Sequence, residues 1–271
     1  MTGSYPFLKG HGTRNDFVLL PDHDGSVHGD LAAERVRALC DRRGGIGADG
    51  VLRVVRRDDR WFMDYRNADG SVAEMCGNGI RVFARHLVDE GLEQTGHPLL
   101  IDTRDGVKNV TVDAGADGRD GRVTVDMGVP RLLGATRVAV GERRWDAVHV
   151  DVGNPHAVAF VDDLADAGPL REAPDHDPER YPDGVNVEFV VRRGEHHVAM
   201  RVHERGSGET QACGTGACAV MVAAAEADGA GPDVDYRVDQ PGGPLTIRRT
   251  EGGRVLMTGP AVIVARGTTD L

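Results

Sequence analysis

Short runs in which apolar and polar residues alternate recur along the chain: VLRVVRR from Val51, WFMDYRN from Trp61, RVTVDM from Arg122, HVDVGN from His149, VNVEFVV from Val185 and HVAMRVH from His197. A period of two places every second side chain on one face, so these runs predict half-buried strands. Three stretches follow the helical period instead: DLAAERVRALCDR from Asp30, GIRVFARHLVDEG from Gly79 and TGACAVMVAAAEADG from Thr215. In the second, Ile80, Phe83, Ala84, Leu87 and Val88 share a face while Arg81, Arg85 and His86 lie off it, which predicts an amphipathic helix. The third is apolar on every side and rich in small residues, as a helix wrapped by a curved sheet would be. The pattern predicts a mixed α+β fold with more strand than helix.

One string occurs twice. MCGNGIRVFARHL begins at Met75 and ACGTGACAVMVAA at Ala212, about half the chain apart, and each lies between strand-rich stretches. This is the footprint of two similar domains. A chain of 271 residues is long enough for either one large domain or two smaller ones, and the repeat decides for two.

Composition narrows the partners. A net charge of −11 without a basic block opposes nucleic-acid binding, which needs clustered Lys and Arg. No apolar run reaches the ~20 residues that span a bilayer, and the first residues carry no basic flank before an apolar stretch. The expectation is a cytoplasmic protein that acts on a small molecule. Lys9 and Lys108 are the only lysines, and neither sits in a phosphate-binding context. A Schiff-base cofactor is therefore not expected.

Of the four cysteines, Cys40, Cys76, Cys213 and Cys218, no pair has the spacing of a zinc or redox motif. Cys40 and Cys218 fall inside predicted helices and read as core residues. Cys76 and Cys213 each stand before Gly-polar-Gly and a helix, where unpaired N–H groups and the positive end of the helix dipole converge. That setting is expected to favour the thiolate at both. The same N–H groups, bared by glycine, can hold a carboxylate. If both helix N-termini face one cleft, a substrate carboxylate is held with a sulfur on each side of its α-carbon, the geometry for removing a proton from one face and returning it to the other.

At this point the residues carry a family resemblance. HGTRNDFVLL from His11, RGGIGADG from Arg43, RNADGSVAEMCGNGIRVFAR from Arg66, VGNPHAVAFV from Val152, GVNVEFV from Gly184 and HERGSGETQACGTGACA from His203 together resemble diaminopimelate epimerases over nearly the whole chain. The resemblance implies two similar domains, each a curved, mostly antiparallel sheet around a central helix, with the active site in the cleft between them. On this sequence the halves are 1–129 and 130–261, with a strand over 262–271 returning to the first. It further implies interconversion of LL- and meso-diaminopimelate without cofactor or metal, in lysine and peptidoglycan-precursor synthesis, by a chain that is compatible with a homodimer.

Carried over by position, Cys76 and Cys213 are the acid/base pair, and His156 and Glu204 tune the thiols. Gly77, Asn78, Gly214 and Thr215 cradle the carboxylate at the reacting centre, and Asn15, Asn67, Asn154, Asn186, Glu204 and Arg205 match substrate-contacting positions. Parity supports several of these independently. Asn154 and His156 fall on the face of Val150, Val152 and Val158 if the strand runs on, Glu204 continues the face of Met200 and Val202, and Asn67 that of Met63 and Tyr65. Asn186 falls opposite Val185, Val187 and Phe189, so its role rests on the resemblance alone. Gly50 stands where the family commonly has Gln, and Thr13-Arg14 replace a usual Leu-Gly. Two other readings are open to the sequence: a proline racemase-like enzyme with the same two-cysteine plan, and a fold member that binds an anionic metabolite without turnover.

Overall fold

A computed structural model describes residues 3–115 and 121–271. The chain divides into two compact units: one runs to Val125 and takes back Gly259–Leu271, and the other is Asp126–Thr258.

In the first unit the elements are β1 (Tyr5–Gly12), β2 (Asn15–Pro21), α1 (Ala33–Cys40), β3 (Gly50–Arg57), β4 (Arg60–Asn67), α2 (Gly77–Asp89), β5 (Pro98–Thr103), β6 (Gly106–Val112) and, at the boundary, β7 (Val123–Asp126). The second holds β8 (Arg131–Val140), β9 (Arg143–Asp151), β10 (Pro155–Phe160), β11 (Asp175–His176), β12 (Asn186–Gly194), β13 (His197–Glu204), β14 (Gly208–Thr210), α3 (Gly214–Asp228), β15 (Asp235–Gln240), β16 (Gly243–Arg249) and β17 (Val255–Gly259); β18 (Val262–Thr269) belongs to the first unit. The alternating runs fall on strands except that HVDVGN leaves β9 after Asp151, and the three helical stretches coincide with α1, α2 and α3, of which α2 and α3 begin at Gly77 and Gly214.

The two units repeat one pattern of pairing. In the first, β18–β1 and β1–β2 are antiparallel, β2–β3 parallel, β3–β4 antiparallel, β4–β5 parallel, and β5–β6 and β6–β7 antiparallel. In the second, β8–β9 and β9–β10 are antiparallel, β10–β12 parallel, β12–β13 antiparallel, β13–β15 parallel, and β15–β16 and β16–β17 antiparallel. The doubled motif is thus the visible part of a duplication of the whole architecture. Within it Asn15 corresponds to Asn154, Phe17 to His156, and Leu52 to Glu188, because the parallel registers Phe17↔Gly50 and His156↔Asn186 coincide.

Each unit wraps its sheet about one helix. α2 touches β1, β2, β3, β4, β6 and β18, and α3 touches β9, β10, β12, β13, β15 and β16. For α3 this is what an all-apolar sequence demands: every residue from Ala217 to Ala225 is buried, Cys218 among them. For α2 the expectation of a solvent-facing polar side is corrected. Arg81, Arg85 and His86 are 0%, 4% and 1% exposed, because β6 and β18 close over that side as well. Burial of the two guanidinium groups is offset by pairing. Arg85 meets Asp89 at 2.7 Å, and Arg81 donates to Pro260 O, Thr13 Oγ1 and Asn78 Oδ1.

Candidate active site

Both motif cysteines are helix N-caps. Cys76 is extended (φ −141°, ψ 119°) before α2, and its sulfur accepts the Gly79 N–H at 3.4 Å; Cys213 is extended (φ −122°, ψ 114°) before α3, with the Gly216 N–H on its sulfur at 3.3 Å. Sulfur here does what a Ser or Asp oxygen does at an ordinary N-cap. The glycine three residues on is closely surrounded at both positions, but only the second is too tight for a side chain. A Cβ at Gly79 would meet Leu52, Cys76 and Phe17 at 3.3–3.4 Å, whereas one at Gly216 would lie 2.7 Å from Glu188 Oε1 and 3.2 Å from Cys213 Sγ.

In the first unit, the β1–β2 hairpin turns through Thr13 and Arg14, both at positive φ (51° and 64°), and delivers Asn15 to the sulfur. The Cys76 thiol donates to Asn15 Oδ1 at 3.6 Å, and the same oxygen accepts from Asn78 Nδ2 at 3.2 Å. Asn15 Nδ2 in turn donates to Asp49 Oδ2 at 2.8 Å. The Asn78 side chain is buried and held by Asn15, Arg81 and Thr13, so any contact it makes with a carboxylate is through the backbone. Asn67, at the end of β4, donates to Ser71 Oγ at 3.0 Å. The position where the family commonly has Gln is filled: a Cβ at Gly50 would lie 2.6 Å from Arg66 O and 2.7 Å from the Tyr65 ring.

In the second unit, Cys213 is buried, its backbone N–H is held by Gln240 Oε1 at 2.7 Å, and its sulfur lies 3.5 Å from Thr215 Oγ1. Asn154 Nδ2 donates to the same hydroxyl oxygen at 3.5 Å, and Asn154 Oδ1 lies 2.9 Å from His156 Nε2. The Glu204 carboxyl interacts electrostatically with Cys213, and its Oε1 accepts a short bond from the Thr210 hydroxyl. Arg205 is exposed, its N–H donates to Asn186 Oδ1 at 2.8 Å and its guanidinium to Asp183 O at 3.3 Å. Gly214 and Thr215 form the first turn of α3, and Gly77 and Asn78 that of α2, where N–H groups point out of the helix end.

Two expectations are corrected. The thiolate is not favoured at Cys213. Burial, with the Glu204 and Glu188 carboxyls beside it, pushes this thiol well above the ordinary range, against the pull of Thr215 and the Gly216 N–H. A helix end lowers a thiol's pKa only where water or positive charge also reaches it. Burial raises the Glu204 carboxyl too. Second, the strand bearing Asn154 and His156 is not continuous: the chain turns after Asp151, and β10 folds back along β9 with His156 opposite Val150. His156 still ends fully buried, because both faces of β10 are covered. Cys40 is buried in the core about α1, and burial lifts its thiol to about 11.

The sequence reading missed Glu188. It is fully buried, and its Oε1 lies 2.6 Å from His156 Nδ1. The signal was there in parity: Glu188 shares its face with Asn186, and on a strand hydrogen-bonded on both sides that face meets α3 rather than solvent.

Comparison with known proteins agrees with this arrangement. The family model for diaminopimelate epimerase matches residues 7–133 and 148–264. The diaminopimelate epimerase of Streptomyces coelicolor is 55% identical over all of this chain and 97% of its own length, and that of Rhodococcus opacus 48% identical over 97% and 96%. Among solved structures, a phenazine biosynthesis protein of the PhzF family from Bacillus anthracis superposes with a TM-score of 0.75 at 15% identity, covering 98% of this chain and 99% of that one. A hydroxyproline epimerase from Agrobacterium vitis gives 0.68 at 15%, covering 98% and 92%. These two share the fold; the full-length identity to the bacterial relatives and the match to the family model show that the chain belongs to the diaminopimelate epimerase family.

Proposed function

We propose that this chain interconverts LL- and meso-diaminopimelate by two-base proton exchange at one α-carbon, with Cys76 and Cys213 as the exchanging groups and with no cofactor or metal. The observation that carries the reading is the duplicated N-cap cysteine, each on its own helix end, in a chain 55% identical to a diaminopimelate epimerase. An α-proton is weakly acidic, and the carbanion left behind is stabilised as its charge spreads into the adjacent carboxylate. Backbone N–H groups at the ends of α2 and α3 are preorganised for that charge, which is the main catalytic device available to a site built from protein groups alone.

The two thiols enter the reaction in different states. Cys213 is held as the thiol, so it is the proton donor, and the half-buried Cys76 is the base of the opposing step. Glu204 is the group for the α-ammonium. Its buried carboxyl resists ionisation alone, and a cation brought against it restores the charge. Asn15 contacts substrate, and Asn67, Asn154, Asn186 and Arg205 are the grip for the distal carboxylate, Arg205 because its exposed fork matches a carboxylate bidentately. Free thiols at all four cysteines suit a reducing compartment, and we place the protein in the cytoplasm. Among the described residues no helix is long and apolar enough to cross a membrane.

Purified protein incubated with LL-diaminopimelate should form the meso isomer. Cys76→Ala and Cys213→Ala should each lower kcat by at least about 10²–10⁴ while the fold persists, whereas Cys40→Ala and Cys218→Ala should retain turnover. Near-normal turnover by either of the first pair refutes the assignment, and conversion of proline in place of diaminopimelate refutes the substrate.

A further inference from the structure

The two thiols occupy corresponding places in duplicated units, yet their surroundings differ at one pair of positions. Beneath the first turn of α2 lie Phe17 and Leu52; beneath that of α3 the corresponding residues are His156 and Glu188, both completely buried. A buried carboxylate and imidazole in place of two hydrocarbons is costly unless they are paired and hydrogen-bonded, and these two are paired at 2.6 Å.

Donor and acceptor accounting shows how. His156 has an oxygen acceptor on each ring nitrogen: Glu188 Oε1 at 2.6 Å from Nδ1 and Asn154 Oδ1 at 2.9 Å from Nε2. With Glu188 ionised and the Asn154 amide oxygen facing Nε2, both nitrogens are satisfied when both carry hydrogen, as in the imidazolium. Asn154 then uses Nδ2 to donate to Thr215 Oγ1 at 3.5 Å, which leaves the Thr215 hydroxyl hydrogen to point at Cys213 Sγ, 3.5 Å away. We propose that Glu188 is a positioning residue which, by holding His156 doubly protonated, sets the direction of a hydrogen-bond chain running through Asn154 to a Thr215 hydroxyl that donates to the Cys213 sulfur. This rests on the reading of Cys213 as the proton donor. When that thiol gives up its proton, the sulfur left behind is met by the Gly216 N–H and the Thr215 O–H, and the positive imidazole offsets the negative charge of Glu188. Cys76 has no such chain from Phe17 and Leu52, so the device serves one sulfur of the two.

The other titratable groups packed around the dyad supply no alternative charge. His149 on β9 is held neutral by burial and by Arg180, Tyr181 is kept protonated by burial, and Glu204 on β13 is pushed towards its neutral form. Gln240, on the far side of Cys213, is uncharged.

Two readouts test this on the full-length, substrate-free protein, so they stand or fall separately from the identity of the substrate. In the wild type, ¹⁵N NMR of the histidine rings at pH 8 should show His156 with both nitrogens protonated. The signal is assigned by its loss in His156→Phe. In Glu188→Gln the imidazole should become neutral, and the rate of Cys213 alkylation by iodoacetamide at pH 8, followed by peptide mass spectrometry, should fall about tenfold while that of Cys76 stays unchanged. Glu188→Asp, which keeps the carboxylate, should restore part of that rate. Simple repulsion between Glu188 and the thiolate predicts the opposite sign. A neutral His156 in the wild type, or Cys213 alkylation that rises or is unmoved in Glu188→Gln, overturns the proposal.

Discussion

At the residue scale, Gly79 and Gly216 show how one motif is held to one sequence by two different neighbours. Each lies in the first turn of a helix, where alanine is intrinsically favoured over glycine by roughly 1 kcal/mol. Gly79→Ala meets only the ends of Leu52 and Phe17 and the Cys76 Cβ at ordinary to tight contact, so stability should change by less than about 1 kcal/mol. Gly216→Ala drives a methyl into the Glu188 carboxylate at 2.7 Å and must displace it from His156. A loss of about 1–3 kcal/mol is expected, read as a lower urea midpoint at unchanged slope, with epimerase activity falling alongside. Equal effects of the two substitutions would contradict the asymmetry between the sites. The catalytic cysteines themselves were legible because a Cys before Gly-polar-Gly recurs. Glu188 was not, because alternation along a strand cannot say whether its polar face meets water or the end of a helix.

At the scale of elements, α2 and α3 carry the chemistry at their N-termini and the core along their length. The sequence distinguished them as amphipathic and all-apolar, but both are enclosed. The error at α2 has a physical cause: Arg81 and Arg85 are polar by type, whereas Arg81 is held by Thr13 and Pro260, which come from segments far along the chain that no local period reveals, as well as by its near neighbour Asn78, and Arg85 pairs within the helix with Asp89. Arg81→Leu should therefore cost about 3 kcal/mol, since it strands buried acceptors that the guanidinium now satisfies. Arg137→Ala, at an ion pair with Asp146 exposed on both sides, should leave the urea midpoint unchanged. If both substitutions are silent, the enclosure of α2 by β6 and β18 is wrong. Strands were legible from alternation of residue type, which matches alternating burial in β7 but also marked β4 and β13, whose residues are mostly buried on both faces. The turn between β9 and β10 was not, because Gly153 and Asn154 interrupt an apolar parity that happens to resume in phase at His156.

At the scale of the whole molecule, the duplicated ladder gives each unit its own helix and core, and buried histidines outside the site couple that core to pH. His28 and His86 are both buried, and burial lowers each to about 4. Neutral in the native state and near 6.5 when unfolded, they contribute stability that is complete above about pH 6.5 and lost as pH falls towards 4. The melting temperature should therefore drop across that window, before the ion-paired carboxylates such as Asp16 add their own loss below about pH 4. His86→Phe should flatten part of the slope, and a wild-type profile level from pH 7 to 4 would contradict the assignment. The central claim is that two different groups serve the two faces of one α-carbon, and isotope exchange tests it most directly. LL-diaminopimelate incubated in heavy water with the enzyme, and sampled at low conversion by mass spectrometry, should give meso product carrying one solvent deuterium at the inverted centre while the remaining substrate stays protonated; label entering substrate and product equally from the start would mean that a single base serves both faces.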